Sequence, residues 1–176
     1  MHNSVTADEF KLIDAGTLSE TELMSLVERH LISPEFAQAR GKRALLVSRD
    51  EGISIMINEE DHLRLQVIGE GLCLRDCLGS AVRLDTLIDE GITAQGSGYA
   101  FDDNLGYLTH CPTNLGTGLR ASVMLHLPVL TGSGKMAALI QAAGKLGLAV
   151  RGYYGEGSRE SGSLYQISNR QTLGYS

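Results

Sequence analysis

Between residues 44 and 68 the chain carries three short β-type runs, at 44 to 48, 53 to 58 and 63 to 68, separated by polar turns containing Asp50-Glu51-Gly52 and Glu59-Glu60-Asp61. Connections this short join neighbouring strands antiparallel, because a parallel pair needs a crossover of a dozen residues or more. The spacing therefore predicts an antiparallel meander, and the remaining elements have to be arranged around its sheet.

The flanking segments read mostly as helices and hairpins. Ser19-Glu20-Thr21-Glu22 sets a hydroxyl three residues before a carboxylate, the spacing of a capping box, so a helix is expected to start there. It would carry Leu23, Leu26, Val27, His30 and Leu31 on one face and stop before Ser33-Pro34, because proline restricts the residue before it. Ser33 is placed to cap a short second helix, whereas residues 2 to 17 are weakly patterned. Residues 72 to 89 return to helical spacing, with Leu74, Cys77, Leu78, Ala81, Leu84 and Ile88 inward and Gly91 as terminator. Segments 99 to 101 and 107 to 109 flank a turn-like tetrad and read as a hairpin, and 121 to 127 alternates as a strand. Residues 136 to 146 form an Ala-rich helical pattern ending at Gly147, followed by strand-like 148 to 150 and 163 to 168. Grouped strands punctuated by helices predict an α+β fold, a largely antiparallel β-sheet flanked by helices. With 176 residues and 43% hydrophobic content the chain is expected to form a single domain over residues 1 to 176.

A net charge of -6 argues against general attraction to nucleic acid or to an anionic membrane, although a locally basic pocket stays compatible with it. Three cysteines cannot all pair, the start has no signal-peptide h-region, and no apolar run approaches the ~18 residues that span a bilayer. A soluble protein of a reducing cytoplasm is expected, with neither nucleic acid nor membrane as partner.

Two tempting motifs fail on inspection. Thr131-Gly132-Ser133-Gly134-Lys135 resembles a phosphate loop, but Val129 stands where the first glycine belongs and Met136 replaces the hydroxyl residue that would meet Mg²⁺, so a strand-to-helix turn is expected instead. Cys73 and Cys77 sit four apart on a helix without a second ligand pair and read as packing residues; the five histidines show no metal-ligand spacing.

Three other stretches carry chemistry. Asn58-Glu59-Glu60-Asp61-His62-Leu63-Arg64 sets three carboxylates against an arginine at a strand-turn-strand junction. Cys111-Pro112-Thr113-Asn114-Leu115-Gly116-Thr117-Gly118-Leu119-Arg120 is a glycine-rich loop whose arginine leads into a strand. Arg151-Gly152-Tyr153-Tyr154-Gly155-Glu156-Gly157-Ser158 runs from a strand into a loop. Each offers an arginine near a strand end, and guanidinium forks match phosphate oxygens, so Arg64, Arg120 and Arg151 are expected to converge on a polyphosphate. Glutamates beside them would bind a cation, either Mg²⁺ or a guanidinium.

The same three stretches, in this order, resemble the guanidinium-binding, nucleotide-binding and loop motifs of the phosphagen (ATP:guanido) kinase family. The residues at 29 to 33, 54 to 66 and 154 to 158 are most similar to those of its bacterial protein arginine kinases. The resemblance implies a phosphagen kinase catalytic-domain fold and ATP-dependent phosphorylation of arginine residues in proteins, by a whole or truncated domain. Its alternatives are a kinase for free arginine or a related guanidino compound, and an inactive homologue that binds nucleotide or arginine. It implies ATP and Mg²⁺ as cofactors, arginine-bearing proteins as substrates, and a homodimer or a full-length kinase as partner. Carried over by motif, Glu60 and Glu156 hold the acceptor guanidinium, one accepting its proton, with Cys111 beside it. Arg64, Arg120 and Arg151 clamp phosphates, and His30, Ala121, Ser122, Val123 and Met124 line the nucleotide. Gly152, Tyr153, Tyr154, Gly155 and Glu156 form the loop closing over it, and Glu59 organises Mg²⁺ through water. An upstream Ser-x-Arg-x-Arg element of the family has no counterpart before residue 29, so the chain reads as the central part of such a domain.

Overall fold

A computed structural model describes residues 9–152 and 162–174. Its contacts divide the chain into two units, Met1–Tyr99 and Ala100–Ser176. The described strands pair antiparallel throughout, in a four-stranded, a two-stranded and a three-stranded sheet.

The first unit runs β1 (Phe10–Asp14), a 3-10 turn (Ala15–Thr17), α1 (Glu20–Glu28), α2 (Pro34–Gln38), β2 (Ala44–Ser48), β3 (Ile53–Ile57), β4 (Leu63–Val67) and α3 (Leu74–Thr93). Its sheet has the order β1-β2-β3-β4, so the meander read from residues 44 to 68 is present, its later strands one residue shorter than expected. The weakly patterned start supplies β1. That strand lies at the sheet edge with Lys11 and Leu12 exposed, and a strand half in water leaves little periodicity to read.

Helix α1 begins at the capping box: Ser19 Oγ accepts from Glu22 N–H at 3.4 Å, and Glu22 Oε2 accepts from Ser19 N–H at 2.8 Å. The helix stops at Glu28, short of His30, which adopts φ +59°. His30 therefore leaves the helical face assigned to it. The left-handed residue turns the backbone so that Leu31 and Ile32 enter the core, at 1% and 3% exposure. Ser33 caps α2 through Phe36 N–H at 3.0 Å, and Phe36 is fully buried among Leu26, Val27, Leu31, Leu45, Val47 and Met56. Each such side chain contributes about 1.5–3 kcal/mol of burial.

Helix α3 departs from expectation in both its length and its burial. It continues through Gly91 to Thr93, since an interior glycine costs only about 1 kcal/mol relative to alanine. Of the six residues expected inward only Leu84 is buried, whereas Leu74 and Leu78 are about two-fifths exposed, at 41% and 43%. The helix packs on β4, a single strand, which cannot cover a stripe 20 residues long.

The second unit runs β5 (Phe101–Asp102), β6 (Gly106–Tyr107), β7 (Ser122–His126), α4 (Pro128–Gly132), α5 (Met136–Lys145), β8 (Leu148–Gly152) and β9 (Leu164–Asn169). β9 is central, between β7 and β8, and α5 packs on β8. The β5-β6 pair is the expected hairpin, with Phe101 and Tyr107 edge to face at 5.2 Å. Pro128, pre-set for a first helical turn, starts α4 just after β7, so Thr131 and Gly132 end that helix and residues 133 to 135 connect two helices, not a strand to a helix as expected. The whole is α+β, antiparallel sheets flanked by helices.

Candidate active site

The β3-β4 connection is organised by Glu59. Asn58 takes φ +59° and donates its N–H to His62 O at 3.0 Å, closing the turn, while its side-chain amide reaches Lys42 O at 3.1 Å. Glu59 then points inward with 6% side-chain exposure. Its Oε1 accepts from Ser33 Oγ at 2.6 Å and from Arg64 Nη1 at 3.1 Å, and its Oε2 accepts from Glu60 N–H at 2.8 Å. Burial opposes its ionisation, but the Ser33 and Glu60 hydrogen bonds and the Arg64 charge together outweigh it and hold the carboxyl below the usual range. One carboxylate thus fixes an arginine fork and the backbone that carries Glu60, whose side chain is exposed. Neither Ser33 nor the buried state of Glu59 was foreseen. The serine was legible only as a helix cap.

His30 packs close by in the same unit, half-buried, and its carbonyl accepts from Gln66 Nε2 at 3.3 Å. Burial pushes its imidazole below the ordinary value, which keeps the ring neutral at pH 7.

In the second unit the loop from Cys111 to Arg120 rests on the segment after β9. Thr172 Oγ1 lies 2.9 Å from Thr113 O and 2.6 Å from Leu115 O, and Thr172 O accepts from Thr117 N–H at 3.0 Å. Gly116 sits at φ +104°, and a Cβ there would come within 2.5 Å of Thr172 O. The glycine is needed both for the angle and for the approach. Cys111 is half-buried, with Sγ 3.0 Å from Thr113 Oγ1.

Arg120 lies two residues before β7, exposed, and its backbone is clamped by Asn169. Asn169 Oδ1 accepts from Ala121 N–H at 2.8 Å, and its Nδ2 donates to Leu119 O and Gln171 O, both at 3.0 Å. Arg151, half-buried in β8, donates Nη1 to Ser168 Oγ at 3.1 Å across to β9. Ala121 precedes β7, Ser122 accepts from Gln166 Nε2 at 3.0 Å, Val123 is half-buried and Met124 is 40% exposed. Asn169, Thr172 and Ser168 escaped the sequence reading because, apart from Gln171, these partners lie 17 to 59 residues away. Gly152 is buried at the end of β8, while Tyr153, Tyr154, Gly155 and Glu156 lie outside the described residues. Arg64 belongs to the first unit, and Arg120 and Arg151 to the second.

Among the described residues no group of three or more His, Cys, Asp or Glu could hold a metal ion, and no helix is long and apolar enough to cross a membrane. Each unit thus carries a guanidinium fork braced by a neighbouring side chain, Arg64 by Glu59 in the first and Arg151 by Ser168 in the second, and such forks suit phosphate oxygens. The model of the ATP:guanido phosphotransferase C-terminal catalytic domain matches residues 1–176, and the chain belongs to that family. It is 46% identical over 174 residues to a protein-arginine kinase of Caldanaerobacter subterraneus subsp. tengcongensis, covering 99% of this chain and 50% of that protein. It is 51% identical over 170 residues to the protein-arginine kinase of Geobacillus thermodenitrificans, covering 97% of this chain and 46% of that one. The chain therefore spans about half the length of the curated relatives it matches. Among solved structures it resembles lombricine kinase, with a TM-score of 0.80 and 26% identity over 99% of this chain and 50% of that one. It also resembles the duplicated taurocyamine kinase of Schistosoma mansoni with bound transition state analog components, with a TM-score of 0.76 and 29% identity over 99% of this chain and 25% of that one.

Proposed function

We propose that this chain is catalytic machinery of a protein arginine kinase, transferring the γ-phosphoryl group of ATP to arginine side chains of proteins. The observation that carries the reading is the Glu59 turn, in which one buried carboxylate hydrogen-bonds both the Arg64 guanidinium and the Glu60 N–H. The 46% and 51% identities to protein-arginine kinases support arginine in proteins as acceptor.

An arginine guanidinium is charged, planar and a poor nucleophile at neutral pH. Glu60, exposed beside the braced turn, orients it and takes its proton, with Glu156 as the second carboxylate of the motif. A guanidino nitrogen then bonds to the γ-phosphorus as the bond to the β-γ bridging oxygen breaks, and ADP leaves. Such transfer needs positioning and charge neutralisation more than covalent help. Arg64, Arg120 and Arg151 are assigned to the phosphates; the Ser168 contact restricts the Arg151 fork before substrate arrives, and Asn169 fixes the backbone on either side of Arg120. His30 and residues Ala121, Ser122, Val123 and Met124 are assigned to the nucleotide, and Cys111 to the acceptor side.

The donor set fits an Mg²⁺ ion brought by the nucleotide and not a resident one. Mg²⁺ ordinarily keeps several waters and uses one or two carboxylates plus substrate phosphates. Glu59, already accepting three hydrogen bonds, has capacity left for a metal-bound water. The ion would neutralise charge on the transferring group.

The test is phosphoarginine formation on an arginine-rich protein with Mg²⁺-ATP, with free arginine as competitor. Transfer to protein that free arginine does not suppress is expected, and Glu60→Gln should lower it by about 10²- to 10⁴-fold while leaving nucleotide affinity within twofold of the parent. Phosphorylation of free arginine in preference to protein would make the chain a small-guanidino kinase, and nucleotide binding without any transfer would make it a binding homologue.

A further inference from the structure

Cys73 and Cys77 lie where β4 hands over to α3, and neither is needed for the proposed phosphoryl transfer. Their Sγ atoms are 3.6 Å apart, and both side chains are half-buried. In a regular helix, side chains four apart have Cβ atoms about 5–6 Å apart. Cys73 is not in the helix, however: it is the N-cap residue at φ -116°, ψ 29°, and its side chain makes no capping hydrogen bond. The off-helix backbone brings its sulfur over the first turn, where it meets Cys77 Sγ instead of capping the helix. The chain before α3 closes the other side, since a Cβ on Gly69 would stand 2.5 Å from Cys73 Sγ and 3.0 Å from Cys77 Sγ. Only a glycine lets the backbone pass against both sulfurs.

We propose that Cys73 and Cys77 form a redox-active dithiol, a modification site that a small-molecule disulfide oxidises to a Cys73–Cys77 bridge. The thiolate of Cys73 attacks one reagent sulfur, the reagent S–S bond breaks and one reagent thiolate leaves. The thiolate of Cys77 then attacks the Cys73 sulfur of that mixed disulfide, the protein S–S bond forms and the second reagent thiolate leaves. The two cysteine protons end on the two departing thiolates, and the two electrons lost by the cysteines are gained by the reagent. The order of attack follows from the surroundings. Cys73 stands outside the helix at the N-cap with no capping bond and takes the first attack, whereas Cys77 is fixed in the first turn, where burial, Cys73 and Asp76 push its thiol up, and it resolves.

Bridge formation asks the sulfurs to approach by roughly 1.5 Å, from 3.6 Å to a bond length of about 2.05 Å. That movement falls on the first turn of α3, the element that follows the Arg64 strand and packs on it. With Cys77 fixed inside α3 and Cys73 at its boundary, closing that gap has to distort the first helical turn, and strained disulfides are the readily reduced ones. The site is thus a reversible one that a monothiol reductant reopens.

The folded chain, reduced and then exposed to excess oxidised glutathione, is digested without reductant and mapped by mass spectrometry. The expected product is a peptide holding Cys73 and Cys77, lighter by two hydrogens and free of glutathione, with both thiols restored by dithiothreitol. Cys77→Ser should instead retain glutathione at Cys73, because the resolving thiol is gone. Bridging in the native chain should exceed that in urea by about tenfold or more, as pre-positioned groups outpace a flexible loop. Stable glutathione on either cysteine of the native chain, a bridge that recruits Cys111, no oxidation at the pair, or equal rates in urea would each overturn the proposal. The peptide map is read on the unsubstituted chain, so it stands even if Cys77→Ser fails to fold.

Discussion

Ser33 serves two partners at once, accepting Phe36 N–H for the α2 cap and donating to Glu59 Oε1 at 2.6 Å. Ser33→Ala removes a cap, at about 1 kcal/mol, and a hydrogen bond to a buried charge, at about 1.5–3 kcal/mol. Urea unfolding at neutral pH should register a loss of about 2.5–4 kcal/mol, most of it recovered in Ser33→Thr, and a loss below about 0.5 kcal/mol would deny the hydroxyl this role. Glu59 and His30 also set the acid limb of stability. A carboxyl held below its unfolded value of about 4.3 binds fewer protons folded than unfolded, so its contribution is complete above that pH and is lost as pH falls through the folded value. An imidazole pushed below about 6.5 by burial likewise binds fewer protons when folded, so its effect begins earlier, as pH drops beneath 6.5. His30→Asn keeps a residue tolerant of φ +59° and should flatten the stability curve from about pH 6.5 down to the carboxylate range near 4, with the fall in that range unchanged. An unaltered curve between those values would mean that the imidazole does not titrate differently on folding.

At the scale of elements, β9 and the residues after it hold the cysteine loop and the Arg120 approach. Gly116→Ala would put a Cβ 2.5 Å from Thr172 O at a left-handed backbone angle, so the loop or the 172 to 174 segment has to move. Overpacking of this kind costs about 1–3 kcal/mol, and thermal melting should fall accordingly. Asn169→Ala takes three hydrogen bonds from residues 119 to 121 and 171. The Ala121 amide should then exchange with deuterium faster than in the parent, whereas exchange in β2 and β3 of the first unit stays as it was. Equal protection at Ala121 in both proteins would show that the amide is shielded by something other than the Asn169 side chain. The capping box, the meander and the hairpin at 101 to 107 were legible from the chain because each is closed by partners within a few residues. Strand β1, helix α4 and the true exposure of α3 were not. Whether an apolar stripe is covered depends on what packs against it, and α3 has β4 alone among its principal partners.

For the whole molecule, the assigned phosphate-binding arginines are divided between the two units, Arg64 in one and Arg120 and Arg151 in the other. If both units serve the nucleotide, Arg64→Ala and Arg151→Ala should each weaken Mg²⁺-ATP binding by about ten- to a hundredfold in calorimetric titration, since a charge-assisted contact is worth about 1.5–3 kcal/mol. Lys135→Ala, in the rejected phosphate-loop stretch, should leave it within about twofold, a change near 0.4 kcal/mol. An unchanged affinity for either arginine variant would remove that unit from nucleotide binding. The amino-acid sequence alone determined the family, the order of the motifs and the antiparallel α+β class, because these rest on residue identity and on spacings along the chain. It also determined which side chains carry charge. The tertiary structure decided which of those charges are braced. Glu59 is buried and pinned by Ser33 across 26 positions, Arg151 is held by Ser168 across 17, and Cys73 meets Cys77 because the N-cap backbone leaves the helix. Such pairings depend on distance in space, and a sequence orders its residues only along the chain.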